Sequence, residues 1–305
     1  MHLSIPDVLA RNVIGFRGED GRQWLARLPE LVTGYVESWN LEPGEPCPGM
    51  SYNYLCFVSL EDGADAVLKL GVPGGPVHSE ADALRAFDGR ACVRLLRADR
   101  AAGVLLLERV RPGATLDTIE DDDAATGAAA EVMARVRRPA PGNHPFATVR
   151  KWSEGLARLR VAFDGSTGPF PKEMVERAEA LYAELLDNTT ASFLLHGDLH
   201  HANLLSAGRE PWLAIDPQGV VGDPAYEAAP FLRNNLSGSA DPAGTVARRA
   251  RIIAETMDLD PGRLLDWARA ESVLSAWWCY EDNDPAWREA ITLAGTIESA
   301  AHRRS

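Results

Sequence analysis

Apolar residues recur at helical spacing between residues 22 and 40, at Trp24, Leu28, Leu31, Val32, Tyr35 and Trp39, which predicts a helix packed on a lobe. The texture then changes. Pro43–Gly49 is turn-rich, and Tyr52–Leu60 carries the Tyr, Phe and Val content of a strand. Glu61-Asp62-Gly63 reads as a hairpin turn into a second strand, Ala66–Leu70. After a loop (GVPGGP, residues 71–76), His78–Phe87 reads as a short helix with Ala81, Leu84 and Phe87 on one side. Arg90–Arg97 and Gly103–Val110 read as two more strands, which makes the first third a small antiparallel sheet with an inserted helix. Pro112-Gly113 marks a boundary. Beyond it the pattern is mostly helical, over Thr118–Arg138, Val149–Phe163 and Lys172–Asp187, with a Pro-rich bend at residues 139–145. A strand–loop–strand unit follows. Two or three helices close the chain, Pro224–Asn234, Ala243–Met257 and Arg263–Trp278 among them. There is no internal repeat and no low-complexity segment.

The chain's 305 residues suffice for one large domain or two lobes. Its net charge of −13 argues against a nucleic-acid or anionic-membrane partner and suits a cationic ligand, although solubility alone would also account for it. Cys47, Cys56, Cys92 and Cys279 are scattered, with no CxxC, so neither a disulfide framework nor a zinc site is indicated and a reducing cytoplasm fits. The N-terminal stretch has no apolar signal-peptide core, and no apolar run approaches the roughly 20 residues of a membrane span.

The chemistry concentrates in Leu194–Leu205, where His196, Asp198 and Asn203 satisfy H-x-D-x-x-x-x-N, the spacing of a kinase catalytic loop. A carboxylate so placed can accept a proton from a substrate hydroxyl or orient it. Asn203 and, after a short turn, Asp216 offer the few oxygen ligands that Mg²⁺ takes beside phosphate. Two blander readings stand beside this one. Asp198 and Asn203 could cap turns. His196, His200 and His201 could hold zinc, though Gly197 and the lack of a metalloprotease-type Glu count against that; His200 and His201 have no other assigned chemistry. Upstream, Lys69 sits in an apolar strand and Glu80 opens the next helix, the pair a kinase uses at the nucleotide phosphates. The Gly49–Asn53 stretch, with Ser51, could cover a triphosphate through backbone N–H groups; it is neither a P-loop nor GxGxxG, and a plain hairpin turn is an equal reading. Leu105–Val110 would be a hinge whose backbone, around Glu108 and Val110, meets the adenine edge. Near the C-terminus, Trp277–Asp284 mixes aromatics with acids. Glu281, Asp282 and Asp284 are candidates for a cationic acceptor, against the alternative of a core helix face followed by a solvated acidic turn.

Taken in order, AVLKLGVPG, LLLERVRPG, LLHGDLHHANLL, AIDPQGVVGDPAYEAAPFLRN and WCYEDN resemble the aminoglycoside phosphotransferase family, in its streptomycin 6-phosphotransferase and hydroxyurea phosphotransferase branch. The resemblance implies an α+β, protein-kinase-like two-lobed fold. Residues 1–110 would form a small antiparallel-sheet nucleotide-binding lobe ending in the hinge. Residues 111–305 would form a mostly helical lobe with the catalytic loop and acceptor site. It implies Asp198 as catalytic base or orienting acid, Asn203 and Asp216 as Mg²⁺ ligands, Lys69 with Glu80 at the phosphates, and the Gly222-Asp223-Pro224 turn and Glu227 as structural supports. The chain departs from the protein kinases in reading Asp-Pro-Gln at the second metal block, so a flipping activation switch is not expected. The expected activity is ATP- and Mg²⁺-dependent transfer of the γ-phosphoryl group to a hydroxyl of an aminocyclitol antibiotic such as streptomycin, in a cytoplasmic monomer. Hydroxyurea, a sugar or an amino alcohol is an alternative acceptor, and GTP an alternative donor. A non-catalytic nucleotide-binding regulator is the alternative of another class, opposed by the presence of all five key positions.

Overall fold

The computed structural model describes residues 5–303; Met1–Ser4, where the stretch read as lacking a signal-peptide core begins, and the last two residues lie outside it. Contacts divide the chain into two compact units, Met1–Val110 and Arg111–Ser305.

The first unit opens with α1 (Asp7–Ser38), two helical segments joined at Gly18, whose φ of +55° and ψ of −125° a residue with a Cβ would adopt only with strain. This break explains why the helical period is visible only from residue 22. Ahead of it, Leu9 and Val13 are buried four residues apart, on a phase that the break interrupts. Five strands follow around α2 (Val77–Phe87): β1 (Glu42–Pro46), β2 (Tyr54–Ser59), β3 (Asp65–Leu70), β4 (Leu95–Asp99) and β5 (Val104–Glu108). They form one antiparallel sheet in the order β1-β2-β3-β5-β4. β1 was not legible because it is built from Pro and Gly. It tolerates them as an exposed edge strand, where a missing N–H costs no ladder bond. The strand expected from Arg90 begins only at Leu95, because Ala91 takes a left-handed φ of +52° that no extended strand accommodates. Trp24, Leu28 and Val32 of α1 share one apolar cluster with Tyr54, Cys56, Val58, Leu68 and Leu70. Leu28 and Val32 are fully buried, each contributing about 1.5–3 kcal/mol as an upper figure.

The second unit contains β6 (Pro112–Thr115), α3 (Asp122–Val136), β7 (Arg138–Pro139), β8 (Ala147–Thr148), α4 (Val149–Ala162) and α5 (Lys172–Asp187). It continues through β9 (Phe193–Leu195), β10 (Leu204–Ala207), β11 (Trp212–Ala214) and β12 (Val220–Gly222), then α6 (Ala229–Arg233), α7 (Pro242–Met257), α8 (Pro261–Glu281) and α9 (Trp287–His302). α3 starts four residues later than the spacing suggests because Asp121 caps it, its Oδ1 accepting from Asp123 N at 3.0 Å and Ala124 N at 3.2 Å. The helix expected over Pro224–Asn234 is a 3₁₀ turn, Pro224–Ala228, followed by the short α6. α9 was not anticipated; its fully buried positions include small Ala300 beside Ile297, which leaves a faint apolar stripe. α8 is buried on nearly every side over Leu264–Leu274, the signature of a central helix.

Two small sheets set the chemistry in place. One has the order β11-β10-β6 and the other β7-β9-β12-β8. The chain passes from the second sheet to the first through the loop after β9, and back again through the loop after β11. Because β9 pairs with β12 and β10 with β11, these two crossings lie side by side. Asp198 is on one and Asp216 on the other.

Candidate active site

In the second unit the Asp198 loop starts at Gly197, whose φ is +85°. A Cβ there would lie 2.9 Å from Val220 Cγ1 and 3.0 Å from the Trp152 ring, so both backbone conformation and space demand glycine. Glu227, buried, accepts hydrogen bonds from the amides of His196 at 2.7 Å and Gly197 at 3.0 Å. Burial pushes its carboxyl up to about 7, against those two donors, which favour the ionised form. The supporting Asp223 accepts from Ala225 N at 2.9 Å and pairs with Arg263.

His196 is fully buried. Its Nε2 lies 2.8 Å from the Ile215 carbonyl and its Nδ1 accepts from Asp198 N at 3.3 Å, an arrangement that assigns the proton of a neutral ring to Nε2. Burial lowers its pKa to about 4, consistent with that neutral form. Both nitrogens are thus spent, which removes His196 as a zinc ligand. The His196 carbonyl in turn accepts from Gln218 N at 2.8 Å and Gly219 N at 3.1 Å, and Ile215 N donates to Asn203 O at 2.9 Å. The two acidic loops are therefore laced together by backbone and by one imidazole.

Asn203 Nδ2 donates to the Asp198 carbonyl at 2.9 Å, which leaves the amide oxygen as the acceptor for a cation. Asp216 takes a left-handed φ of +58° on the adjoining loop. One amide oxygen and one carboxylate on adjoining loops are hard-oxygen donors of the kind Mg²⁺ takes, with its remaining sites left to water and phosphate. The Asp198 side chain is 34 % exposed. Burial pushes its carboxyl up to about 7, with Arg233 pulling the other way and Glu271 and Asp216 adding to the rise. His200 Nε2 is 3.9 Å from Oδ2. His201, 3 % exposed, stacks on Phe231 at 4.1 Å between centroids.

In the first unit, Lys69 and Glu80 meet as a buried ion pair, Nζ to Oε2 at 2.8 Å, with side-chain exposures of 1 % and 6 %. β3 points Lys69 to the sheet face opposite Leu68 and Leu70, where α2 presents Glu80. Ser51 is exposed in the turn before β2, which Met50 pins by burying its side chain and accepting from Leu55 N at 3.1 Å. Glu108 ends β5 with its carboxylate accepting from Arg94 N at 3.0 Å, and Val110 is half-buried.

The C-terminal acids differ among themselves. Glu281 is gripped by Arg158 through two bonds of 2.8 and 2.9 Å, so its carboxylate is already engaged, a partner 123 residues away that no local spacing reveals. Asp282 is half-buried, and burial followed by its neighbours Glu281 and Asp284 raises its pKa. Asp284 accepts from Ala286 N at 2.9 Å. Trp277 is buried against Phe163, Phe170 and Tyr280, as a core helix face would be. Trp278 instead meets Trp152 edge-on at 5.6 Å, and Trp152 borders Gly197.

Sequence reasoning missed Arg233 and Glu271. The guanidinium donates from Nε at 2.9 Å and Nη2 at 3.2 Å to the two Glu271 oxygens, and Nη2 stands 4.0 Å from Asp198 Oδ1. The available signal was Arg233, the one charge in the apolar run AAPFLRN; Glu271 shares its stretch with Asp266 and Arg269 and carries no such mark.

Residues 38–283 match the model of the aminoglycoside/hydroxyurea antibiotic resistance kinase family. The chain belongs to that family. Streptomycin 6-kinase of Streptomyces griseus is 34 % identical over 286 residues, 92 % of each chain. Hydroxyurea phosphotransferase of Kitasatospora aureofaciens is 34 % identical over 297 residues, 93 % of this chain and 82 % of that one. Among solved structures, a choline kinase from Streptococcus pneumoniae superposes with a TM-score of 0.63 at 13 % identity, covering 90 % of this kinase and 99 % of that chain, which shows a kinase-like fold. The protein is accordingly a small-molecule kinase. No helix among the described residues is long and apolar enough to cross a membrane.

Proposed function

We propose that this kinase transfers the γ-phosphoryl group of ATP to a hydroxyl of an aminocyclitol antibiotic, streptomycin in the first place, and so confers resistance to it. The observation that carries the reading is the lacing of the Asp198 and Asp216 loops by the His196 ring and by backbone hydrogen bonds. The 34 % identity to streptomycin 6-kinase over 92 % of the chain supports that acceptor, with the hydroxyurea phosphotransferase similar to the same degree.

The acceptor oxygen bonds to the γ-phosphorus, the bond to the bridging oxygen breaks with its electron pair leaving on ADP, and the hydroxyl proton passes to Asp198. Asn203 and Asp216 would hold Mg²⁺, which when bound neutralises charge on the phosphates. Lys69, oriented by Glu80, would bind the nucleotide phosphates, with the Ser51 turn covering them and the Glu108–Val110 backbone meeting the adenine. Asp282 and Asp284 would draw the cationic acceptor, while Glu281 acts through Arg158 to fix the end of α8. A monomer working in the cytoplasm, where the nucleotide pool lies, completes the reading.

The test is a purified-enzyme assay with ATP and Mg²⁺ over streptomycin, hydroxyurea, a sugar and an amino alcohol, with phosphorylated products identified by mass spectrometry. Phosphostreptomycin is expected, with Asp198→Asn losing about 10²-fold or more in kcat. Turnover of a sugar with none of streptomycin would overturn the acceptor, and a near-normal rate for Asp198→Asn would overturn the base.

A further inference from the structure

Arg233 ends α6 and Glu271 lies mid-way along α8, so the pair joins two elements distant in sequence. Glu271 is 2 % exposed. The two hydrogen bonds between them use the fork of the guanidinium, which fixes its plane as well as its place. So held, Nη2 faces Asp198 Oδ1 at 4.0 Å. That distance is too long for a hydrogen bond and short for an ionic attraction. The difference matters to a base. A donor bonded to Asp198 would occupy the lone pair that has to receive the hydroxyl proton, whereas a cation held just out of bonding range attracts the carboxylate and leaves its oxygens free.

We propose that Arg233 is a positioning residue of the transfer reaction: clamped by Glu271, it holds the Asp198 carboxylate by charge, at a distance that keeps both oxygens open to the acceptor hydroxyl. The inference rests on the reading of Asp198 as the group that meets that hydroxyl. The other charges facing Asp198 support it. Glu271 and Asp216 both act on Asp198 as like charges, and the Arg233 guanidinium is the side chain that opposes them. His200 Nε2 lies 3.9 Å from the other carboxylate oxygen, Oδ2. Glu271 gives both carboxylate oxygens to Arg233 and so serves as its anchor. A Lys at this position would keep the charge and lose the fork, so charge and orientation separate experimentally.

The experiment is steady-state kinetics of Arg233→Met, Arg233→Lys, Glu271→Gln and the Arg233→Met/Glu271→Gln double variant, with ATP and streptomycin (hydroxyurea if that is the acceptor found), alongside nucleotide-binding stoichiometry. Arg233→Met is expected to lose about 100-fold in kcat with the KM for ATP within about threefold, the signature of an interaction used in the transition state. Arg233→Lys is expected to recover about tenfold of that loss, and Glu271→Gln to lose about tenfold on its own. Adding Glu271→Gln to Arg233→Met is expected to cost nothing further, since the pair acts as a unit. An unchanged kcat in folded Arg233→Met overturns the proposal, as does a loss that only tracks a falling fraction of nucleotide-binding molecules. Should Arg233→Met not fold, Arg233→Lys and Glu271→Gln decide: wild-type kcat in both overturns it. Asp198→Asn, run in parallel, separates the two failures. If it keeps the wild-type rate, the base reading falls. If it is inactive while the Arg233 variants are normal, only the present inference falls.

Discussion

His196 joins the two acidic loops, its Nε2 donating to the carbonyl of Ile215, the residue just before Asp216, at 2.8 Å. His196→Ala would delete a fully buried ring and leave that carbonyl unpaired. We expect a stability loss of about 3 kcal/mol, read by urea unfolding, with kcat falling further than the unfolded fraction explains. A variant as stable as wild type would show that the backbone lacing alone suffices.

Glu227 holds the loop from below through the amides of His196 and Gly197. Glu227→Gln puts an amide donor against one of those N–H groups and should cost about 1–3 kcal/mol. Glu227→Ala strands both donors and should cost more. Chemical denaturation of the two variants gives the order directly; equal losses would mean that water replaces the carboxylate.

The Lys69–Glu80 pair allows stability to be separated from function. Lys69→Met alone leaves a buried carboxylate without its partner and should destabilise by about 3–5 kcal/mol. Lys69→Met combined with Glu80→Leu removes both charges and should regain most of that loss. Thermal unfolding tests the recovery. Turnover should stay low in the double variant, because the cation proposed to meet the phosphates is gone.

His201 supplies a pH dependence. Burial, followed by the nearby Arg249, lowers its pKa to about 4, while in the unfolded chain it titrates near the ordinary histidine value of about 6.5. Between those two values the unfolded state binds a proton that the folded state does not, so stability falls as pH falls through this window. Neither ring nitrogen has a hydrogen-bond partner among the described residues, so His201→Phe gives up no bond and keeps the stack on Phe231. The variant should lose less stability than wild type on going from pH 7 to 5, by about 1–2 kcal/mol. Parallel urea curves at the two pH values would reveal this; identical acid sensitivity would place the titration elsewhere.

How much could be read from the sequence follows from how local each signal is. The helix expected over Lys172–Asp187 occupies those residues, because an unbroken amphipathic stripe repeats within it. Lys69 and Glu80 could be nominated because a strand and the next helix are short-range neighbours. The first half of α1 was hidden by one backbone reversal at Gly18, and β1 by a composition that elsewhere makes turns. The motif spacing around Asp198 marked which residues to look at, but not that two crossings between the same two sheets would set the Asp198 and Asp216 loops side by side. Arg233 and Glu271 were invisible for a different reason. Their partnership spans 38 residues, and Arg233, isolated in an apolar run, announces a partner without naming it, while Glu271 lies among other charges.

α8 carries Glu271 at its middle and Glu281 at its end, about 15 Å apart along one axis, with Asp282 capping it. The anchor of Arg233 and the acids proposed to greet the acceptor are therefore mechanically linked yet chemically separate. Substitution in the last turn can change which molecule is welcomed without disturbing the clamp three turns earlier. A lineage built on this helix could change its target drug while its way of moving phosphate stayed the same.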